Sequence, residues 1–258
     1  MNLILLEPEE IGADGTAALA GERARHVREV LKARPGDAIR AGVVDGRMGT
    51  ATVLGEGSGM RLKCEFSGEP PPVPRVDLLL AMPRPKTMNR LWPVLASLGV
   101  GRIMISNAWK TERNYFDTHV LEPGHLRKGL LEGLQQARDT RLPQASVHRR
   151  FRKLVEEELE GFGPYGARLA AHPGAGRFPA ARLAGLPANE RVLVAIGPEG
   201  GWTDHELELM EAHGFEEVSW GPRPLRTDVA CAALLGLAHA ALEGIVSGRP
   251  DLPGPRRE

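Results

Sequence analysis

Hydrophobic and polar residues follow two different patterns in this chain, and the pattern changes near residue 70. The first 67 residues hold short apolar or alternating runs that are typical of β-strands, separated by turn signals such as Pro35-Gly36-Asp37 and Asp45-Gly46. One helical stretch, at about 21–32, interrupts them. This spacing predicts a small antiparallel barrel or sandwich, with strands at 2–6, 38–44, 48–54 and 61–66.

The second pattern begins after the proline-rich segment 69–74, which predicts a stiff linker. Strand-like runs now alternate with helix-like stretches, which indicates βα repetition and a mostly parallel sheet covered by helices. The predicted strands are 76–82, 102–106, 145–148, 167–171, 192–196 and 217–220, and the predicted helices lie near 86–98, 123–138, 151–160 and 204–213. We therefore expect a β-rich domain at 1–68, an α/β domain at 75–248 and a mobile tail at 249–258.

Two helices carry unusual residues. Pro93 lies inside the first predicted helix of the α/β domain, so it should either kink that helix or mark its start. The last helix, at 229–242, is rich in Ala and Leu on nearly every face, which predicts burial all round, in a core or against a second subunit. A homodimer is the natural expectation.

Composition indicates a soluble globular protein. The chain has 258 residues, 42% of them hydrophobic, and a formal net charge of zero. The longest apolar run, 230–242, is too short to cross a bilayer, and the N-terminus lacks a signal-peptide pattern, so we expect a cytoplasmic protein without a membrane partner. Cys64 and Cys231 show no metal-binding spacing, so we expect two reduced thiols and no metal.

The charge is distributed unevenly. Residues 127–153 hold eight basic side chains against two acidic ones, and a weaker basic cluster lies between 23 and 34. Either cluster could simply be a solvated helix face. Because they occur with a predicted ligand site, contact with an anionic polymer is a second interpretation.

The clearest chemical signal is a pair of Gly/Pro turns that follow the strands 192–196 and 217–220. Their sequences are Gly-Pro-Glu-Gly-Gly at 197–201 and Gly-Pro-Arg-Pro at 221–224, and the low side-chain bulk lets the backbone approach a ligand. Ligands of open α/β sheets bind at the carboxyl ends of strands. Thr203 and Glu206 have capping-box spacing, which starts a helix just after the first turn. A tight turn without a ligand is the alternative.

Two residues near these turns carry possible chemistry. Glu199 stands between Pro and Gly at a strand end, where it could hold a ribose hydroxyl or a cationic group. His172 could be a catalytic base or a turn histidine bonded to the backbone. The chain has no GxGxxG after a strand, no GxxxxGK[ST], no GxSxG and no HExxH, which argues against dinucleotide, Walker-type, α/β-hydrolase and zinc-protease sites.

The run IGPEGGWTDHEL followed by WGPRPLRTDVA resembles the signature of the ribosomal small-subunit (16S) RNA uracil N3-methyltransferases, the RsmE family of the knotted-sheet (SPOUT) superfamily. Weaker similarities cover most of the chain in the same order. They include Met82-Pro83-Arg84, Ser97-Leu98-Gly99-Val100 and Thr111-Glu112-Arg113, with a few extra residues near 107–110.

The resemblance implies an N-terminal PUA-like β-barrel that grips RNA and a C-terminal α/β domain with a trefoil knot, a rare exception to the usual rules of chain connection. It also implies a homodimer that binds S-adenosylmethionine in the knot and acts on ribosomal RNA or the assembled small subunit. The cofactor-binding residues would be Ala171, His172, Pro173, Ile196, Gly197, Pro198, Glu199, Gly200, Gly201, Trp220, Gly221, Pro222, Leu225 and Arg226.

The implied reaction transfers a methyl group to N3 of an unpaired or flipped-out uracil, which must first lose its N3 proton. Arg226 would stabilise the uracil anion, although it could equally form a salt bridge that closes the knot. Asp228 could accept the proton, orient Arg226 or simply cap the helix. The expected RNA contacts are Arg23, Arg25, His26, Arg28, Arg84, Arg113, Arg138 and Arg141.

The sequence departs from the family pattern around the target base. Asp228 and Val229 replace Glu and Thr of the usual LRTETA motif, and Ser97 replaces a glutamate. Two other functions therefore stay open: an RNA-binding or ribosome-assembly factor without methyl transfer, and a methyltransferase that acts on another RNA.

Overall fold

The computed structural model describes residues 3–56, 59–175, 180–221 and 223–245. The chain divides into two compact units, Met1–Val73 with Leu130–Leu142, and Pro74–Gly129 with Pro143–Glu258. The break between Val73 and Pro74 lies at the predicted linker, and Leu130–Leu142, which the sequence pattern places in the second domain, groups with the first unit. The sequence pattern cannot indicate this, since that segment continues a regular helix. The predicted tail, 249–258, lies outside the described residues.

The first unit contains a five-stranded sheet. Its strands are β1 (Ile4–Leu6), β2 (Thr16–Leu19), β3 (Ala38–Val43), β4 (Met48–Glu56) and β5 (Met60–Phe66), in the order β1-β3-β4-β5-β2. β1 and β3 are parallel and the other pairs are antiparallel. Helix α1 (Gly21–Arg25) continues as a π-helix at His26–Val30, so the predicted single helix at 21–32 changes type midway. The four strands expected from the sequence are present, whereas β2, only four residues long, was missed.

The second unit contains a six-stranded sheet in which every neighbouring pair is parallel. The predicted mostly parallel α/β sheet is therefore confirmed. The strand order is β11-β9-β10-β6-β7-β8, so β10 lies between β6 and β9 although β9 precedes it in the chain. The strands are β6 (Val76–Ala81), β7 (Val100–Ser106), β8 (Gln144–His148), β9 (Tyr165–Ala171), β10 (Arg191–Ile196) and β11 (Phe215–Val218).

Helices follow most of these strands. They are α2 (Pro85–Ser97), α3 (Pro123–Ala137), α4 (Phe151–Lys153), α5 (Ala180–Ala184), α6 (Asp204–Ala212) and α7 (Thr227–Leu242). α4 continues as a π-helix at Leu154–Glu158 and a 3-10 helix at Leu159–Phe162, and further 3-10 helices lie at Pro8–Glu10, Arg113–Phe116 and His119–Leu121.

The structure narrows two predictions about these elements and corrects a third. Of the two alternatives for Pro93, the start of the helix is excluded, because α2 begins at Pro85 and Pro93 lies inside it. The predicted last strand, 217–220, is wrong in its bounds: it ends at Val218, so Trp220 follows it as part of a loop. Within the chain, α7 buries Cys231 and Leu235 but leaves Val229 46% exposed, so of the two expected ways to bury the whole helix, the core of one chain is not sufficient.

One charged residue lies in the centre of the sheet. Asp77 on β6 is fully buried, forms an ion pair with Arg191 and lies 3.7 Å from the Arg102 guanidinium. The Tyr165 hydroxyl donates a hydrogen bond to Asp77 Oδ2 at 2.9 Å. Burial, together with the adjacent carboxylate, raises the pKa of Tyr165 to about 12. This network compensates the desolvation of Asp77 and links β6 to its neighbours β7 and β10 and, through Tyr165, to β9 on the far side of β10.

Candidate functional site

A cavity of about 480 Å³ lies at the carboxyl ends of β9, β10 and β11. This volume falls in the range of small-molecule sites. Three loops and the start of α7 form it, as parallel strands of an open sheet predict. It brings together the predicted cofactor-binding residues Ala171, His172, Pro173, Ile196, Gly197, Pro198, Glu199, Gly200, Gly201, Trp220, Gly221 and Leu225.

The loop after β10 is a tight turn that leads directly into α6. The Gly201 N–H donates to the Pro198 carbonyl at 2.8 Å, and Gly201 has a φ of +68°, which a side chain would strain. The predicted capping box is confirmed: Thr203 accepts from the Glu206 N–H, and the Glu206 carboxylate accepts from the Thr203 N–H at 2.8 Å. The turn is therefore held in one conformation at the floor of the cavity.

Glu199 has a structural partner that the sequence did not suggest. Its Oε1 accepts a hydrogen bond from the backbone N–H of Arg84 at 3.1 Å. Arg84 is the N-cap of α2, just beyond the carboxyl end of β6. Glu199 therefore links the cavity loop to the neighbouring strand end while still lining the cavity.

The other two loops are joined by Ser219, which sequence reasoning missed. Its Oγ donates to the Gly221 carbonyl at 2.9 Å and reaches the Pro173 carbonyl at 3.4 Å, while it accepts from the Gly221 N–H. His172 donates its backbone N–H to the Val218 carbonyl at 2.9 Å, which supports its interpretation as a turn residue that also lines the cavity.

Lys110 is a second cavity residue that the sequence did not indicate. Its Nζ donates to the carbonyls of Gly200 at 2.9 Å and Trp202 at 3.3 Å. Since the contact spans 90 residues of chain, no local motif could signal it. Gly174, Arg223 and Pro224 also line the cavity and belong to the loops 171–174 and 220–226, in which the family resemblance implies cofactor binding. The lining residues outside the predicted loops are Trp202, Val218, Thr227, Ala230 and Leu234.

Comparisons with known proteins agree with this geometry. Residues 69–239 match the model of a family described as the RNA methyltransferase domain. The chain belongs to this family.

Similarity to individual members extends over nearly the whole chain. A ribosomal RNA small subunit methyltransferase E from Treponema pallidum is 29% identical over 93% of this chain and 92% of its own length. The crystal structure of a ribosomal RNA small subunit methyltransferase E from Neisseria gonorrhoeae, bound to S-adenosylmethionine, matches with a TM-score of 0.73 at 20% identity and covers 95% of this chain and 98% of that one. A Legionella pneumophila protein solved with the cofactor SAM matches with a TM-score of 0.73 at 22% identity, over 93% and 97% of the two chains.

Within this RNA methyltransferase domain, Arg226 lies where α7 begins but is not among the residues that line the cavity, although Leu225 and Thr227 are. Its side chain is 71% exposed, and its Nη2 lies 2.8 Å from Asp228 Oδ2. In this conformation the Asp228 carboxylate holds the Arg226 guanidinium, so the expected contact between Arg226 and the cofactor stays a prediction. Pro222, also predicted to bind cofactor, lies outside the described residues.

Asp228 is not the N-cap of α7, since Arg226 occupies that position. Its Oδ2 also lies 3.8 Å from Arg90 Nη2 on α2, so one carboxylate lies between two guanidinium groups. Of the interpretations that the sequence left open, the contacts favour an orienting role for Asp228.

The predicted RNA-contacting residues occur on both units of the methyltransferase. Arg23 is bound by the Glu10 carboxylate and the Leu5 carbonyl, and Arg141 donates to the carbonyls of Pro71 and Asp45. These two side chains therefore have structural roles. His26 is half-buried in the π-helix that follows α1, and the exposed members are Arg25, Arg28, Arg84, Arg113 and Arg138.

The described residues hold neither a cluster of metal ligands nor a helix that could span a membrane. Across 3–56, 59–175, 180–221 and 223–245, no group of three or more His, Cys, Asp or Glu side chains could hold a metal ion. Among the helices described there, none combines the length and apolar character needed to span a bilayer.

Proposed function

We propose that this protein is an S-adenosylmethionine-dependent methyltransferase that methylates N3 of a specific uridine in small-subunit (16S) ribosomal RNA. The observation that carries the proposal is the cavity at the ends of β9, β10 and β11, in a chain of the RNA methyltransferase family. The substrate follows from relatives named ribosomal RNA small subunit methyltransferase E, which align over most of the chain. An enzyme with this substrate would act in the cytoplasm, where ribosomes assemble.

The cavity fits the cofactor chemically. Ile196, Leu225 and Leu234 offer apolar contacts for a flat adenine ring, while the glycines of the turn at 197–201 leave backbone groups open to polar atoms. Ser219 and Thr227 provide hydroxyl groups. When bound, the cofactor would supply an electrophilic methyl group on a positively charged sulfur. The protein would contribute orientation and exclusion of water.

The target uracil must be activated, because its N3 must lose a proton before it can attack the methyl group of the cofactor. Arg226 is exposed at the start of α7, between two cavity residues in sequence, so its positive charge is available to an RNA base that approaches the cavity. A guanidinium stabilises the negative charge that develops on the uracil ring. Asp228, shared between Arg226 and Arg90, would orient that guanidinium.

The proposal includes a homodimer. On α7, Val229, Ala232 and Gly236 are exposed and fall at the helical spacing that places them on one face. A second copy of the chain would bury this apolar face. We also propose the trefoil-knotted connection and the PUA-like character of the first unit, on the strength of the family resemblance.

A methyl-transfer assay on isolated ribosomal subunits tests the proposal. Small subunits from a strain that lacks the gene, incubated with the protein and S-adenosylmethionine labelled in the methyl group, should gain one label at an N3-methyluridine, while subunits from the parent strain should gain none. Binding of the subunit without transfer would instead support the assembly-factor function. Label in transfer RNA but not in ribosomal RNA would support a different substrate.

A further inference from the structure

Trp109 exposes an unusually large apolar surface. Its side chain is 84% exposed, the largest fraction of any large hydrophobic residue in the described part of the chain. By contrast, Trp92 and Trp202 are buried. An exposed indole on a protein surface frequently marks a binding site, because its burial against a partner is strongly favourable.

The backbone of Trp109 is rigidly held, so the exposure does not come from a loose segment. Trp109 and Lys110 occupy the centre of a turn closed by the Thr111 N–H to the Ala108 carbonyl at 3.0 Å. Ala108 and Thr111 are both buried. The Trp109 N–H donates to the Oε1 of the buried Glu206 at 2.8 Å. Both ends of the turn are thus anchored by the fold, and the indole ring of Trp109 is exposed to solvent.

This turn borders the cofactor cavity. Lys110, the next residue, lines the cavity and donates to the Gly200 carbonyl. Because adjacent Cα atoms are about 3.8 Å apart, the backbone of Trp109 lies directly beside this cavity residue. Glu206, which holds the Trp109 N–H, is also the residue that caps the helix after the cavity loop. The indole is therefore fixed to the same elements that shape the site.

The residues that follow Trp109 along the chain are mostly polar and exposed. Lys110, Glu112, Arg113 and Asn114 are all exposed, which differs from the apolar core expected of a subunit interface. An isolated aromatic ring next to basic side chains is the arrangement by which proteins stack on single-stranded bases.

We propose that Trp109 stacks on an unpaired nucleobase of the RNA substrate next to the target uridine. It is a positioning residue: it holds the RNA at the mouth of the cavity and takes no part in the chemistry. The inference rests on the proposed function, because the RNA must reach this cavity to be methylated.

Three variants separate stacking from other roles. Trp109→Phe keeps an aromatic face, Trp109→Leu keeps apolar bulk without one, and Trp109→Ala removes both. With small subunits from a strain lacking the gene, Trp109→Ala should raise the KM about 5- to 100-fold, with kcat at saturation within about twofold. Trp109→Phe should keep most of the wild-type affinity for the small subunit, and Trp109→Leu should not. Calorimetric affinity for S-adenosylmethionine should be the same in all variants.

A fluorescence titration gives an independent readout. A six-nucleotide oligouridine should quench the wild-type tryptophan emission, and Trp109→Phe should lose most of that quenching while it still binds the RNA. An active wild-type enzyme whose KM is unchanged in Trp109→Ala would overturn the inference. The inference would also be overturned if Trp109→Leu restored the wild-type KM and the variants changed the mass of the dimer in solution. That result would assign the ring to a contact between two copies of the chain. Failure of the proposed function would instead appear in the wild type itself, as absence of methyl transfer.

Discussion

The guanidinium of Arg226 and the carboxylate of Asp228 lie 2.8 Å apart at the first turn of α7. The pair sits next to the cavity in sequence, yet Arg226 does not line it. Under the proposed function the arrangement separates two tasks: the three loops would hold the cofactor, and the arginine would stabilise the RNA base. It predicts that mutations of this pair act on the methyl-transfer rate and leave cofactor affinity nearly unchanged.

Arg226→Ala should lower kcat about 10²- to 10³-fold, since it removes a charge that stabilises the uracil anion. Single-turnover methyl transfer and calorimetry with S-adenosylmethionine check the two halves of this prediction. Arg90→Ala is the matched control, because Arg90 approaches the same carboxylate at 3.8 Å but should have a small effect. A tenfold or greater loss of cofactor affinity in Arg226→Ala would place the guanidinium in the cofactor site instead.

Gly201→Ala should weaken the binding of S-adenosylmethionine. A Cβ at Gly201 would meet no atom within 4 Å, so the effect comes only from its φ of +68°. An alanine in that left-handed conformation raises the free energy of the turn by about 1–2 kcal/mol. The loop would relieve this strain by changing its conformation. The control is Gly161→Ala, where a Cβ also meets nothing and φ is not positive. Equal affinities for the two variants would show that the turn is not held as described.

Asp77→Ala should destabilise the second unit strongly. It leaves Arg191 and Arg102 partly buried without their carboxylate, and loss of one partner from a buried pair costs about 3–5 kcal/mol. Asp117→Ala removes a pair whose side chains are 62% and 72% exposed, and it should cost less than about 1 kcal/mol. Urea unfolding measures both values. Similar midpoints for the two variants would contradict a structural role for the Asp77 network.

Neither cysteine should react with a thiol reagent in the folded protein. Burial raises the pKa of Cys231 to about 12 and also raises the pKa of Cys64, so very little of the reactive thiolate forms at pH 8. Cys231 is fully buried as well. Titration with Ellman's reagent should therefore find two thiols in urea and almost none in buffer. Rapid reaction of one thiol in buffer would indicate that α7 opens.

The sequence predicted those parts of the site that depend on local signals. The turn at 197–201 and the capping box at Thr203 are encoded by neighbouring residues, so both could be located before the structure was known. Similarly, the mainly apolar runs at 76–82 and 192–196 predict strands of a mostly parallel sheet, and the structure places β6 and β10 at its centre.

Features that depend on distant contacts were missed. Lys110 reaches the cavity through a hydrogen bond to Gly200 across 90 residues, and the pairing of β2 with β5 places a four-residue strand at a sheet edge. The orientation of Arg226 is decided by Asp228 and not by its position in the motif. In each case the deciding interaction is tertiary, so no periodicity or spacing in the sequence carries it.

The proposed function requires that this protein place one methyl group on N3 of a uridine in small-subunit ribosomal RNA. Mass-spectrometric mapping of that RNA from a strain lacking the gene is the decisive measurement. A single N3-methyluridine should disappear, return with the wild-type gene and not return with Arg226→Ala. An intact N3-methyluridine in the deletion strain would show that another enzyme makes the modification and that the proposed function is wrong.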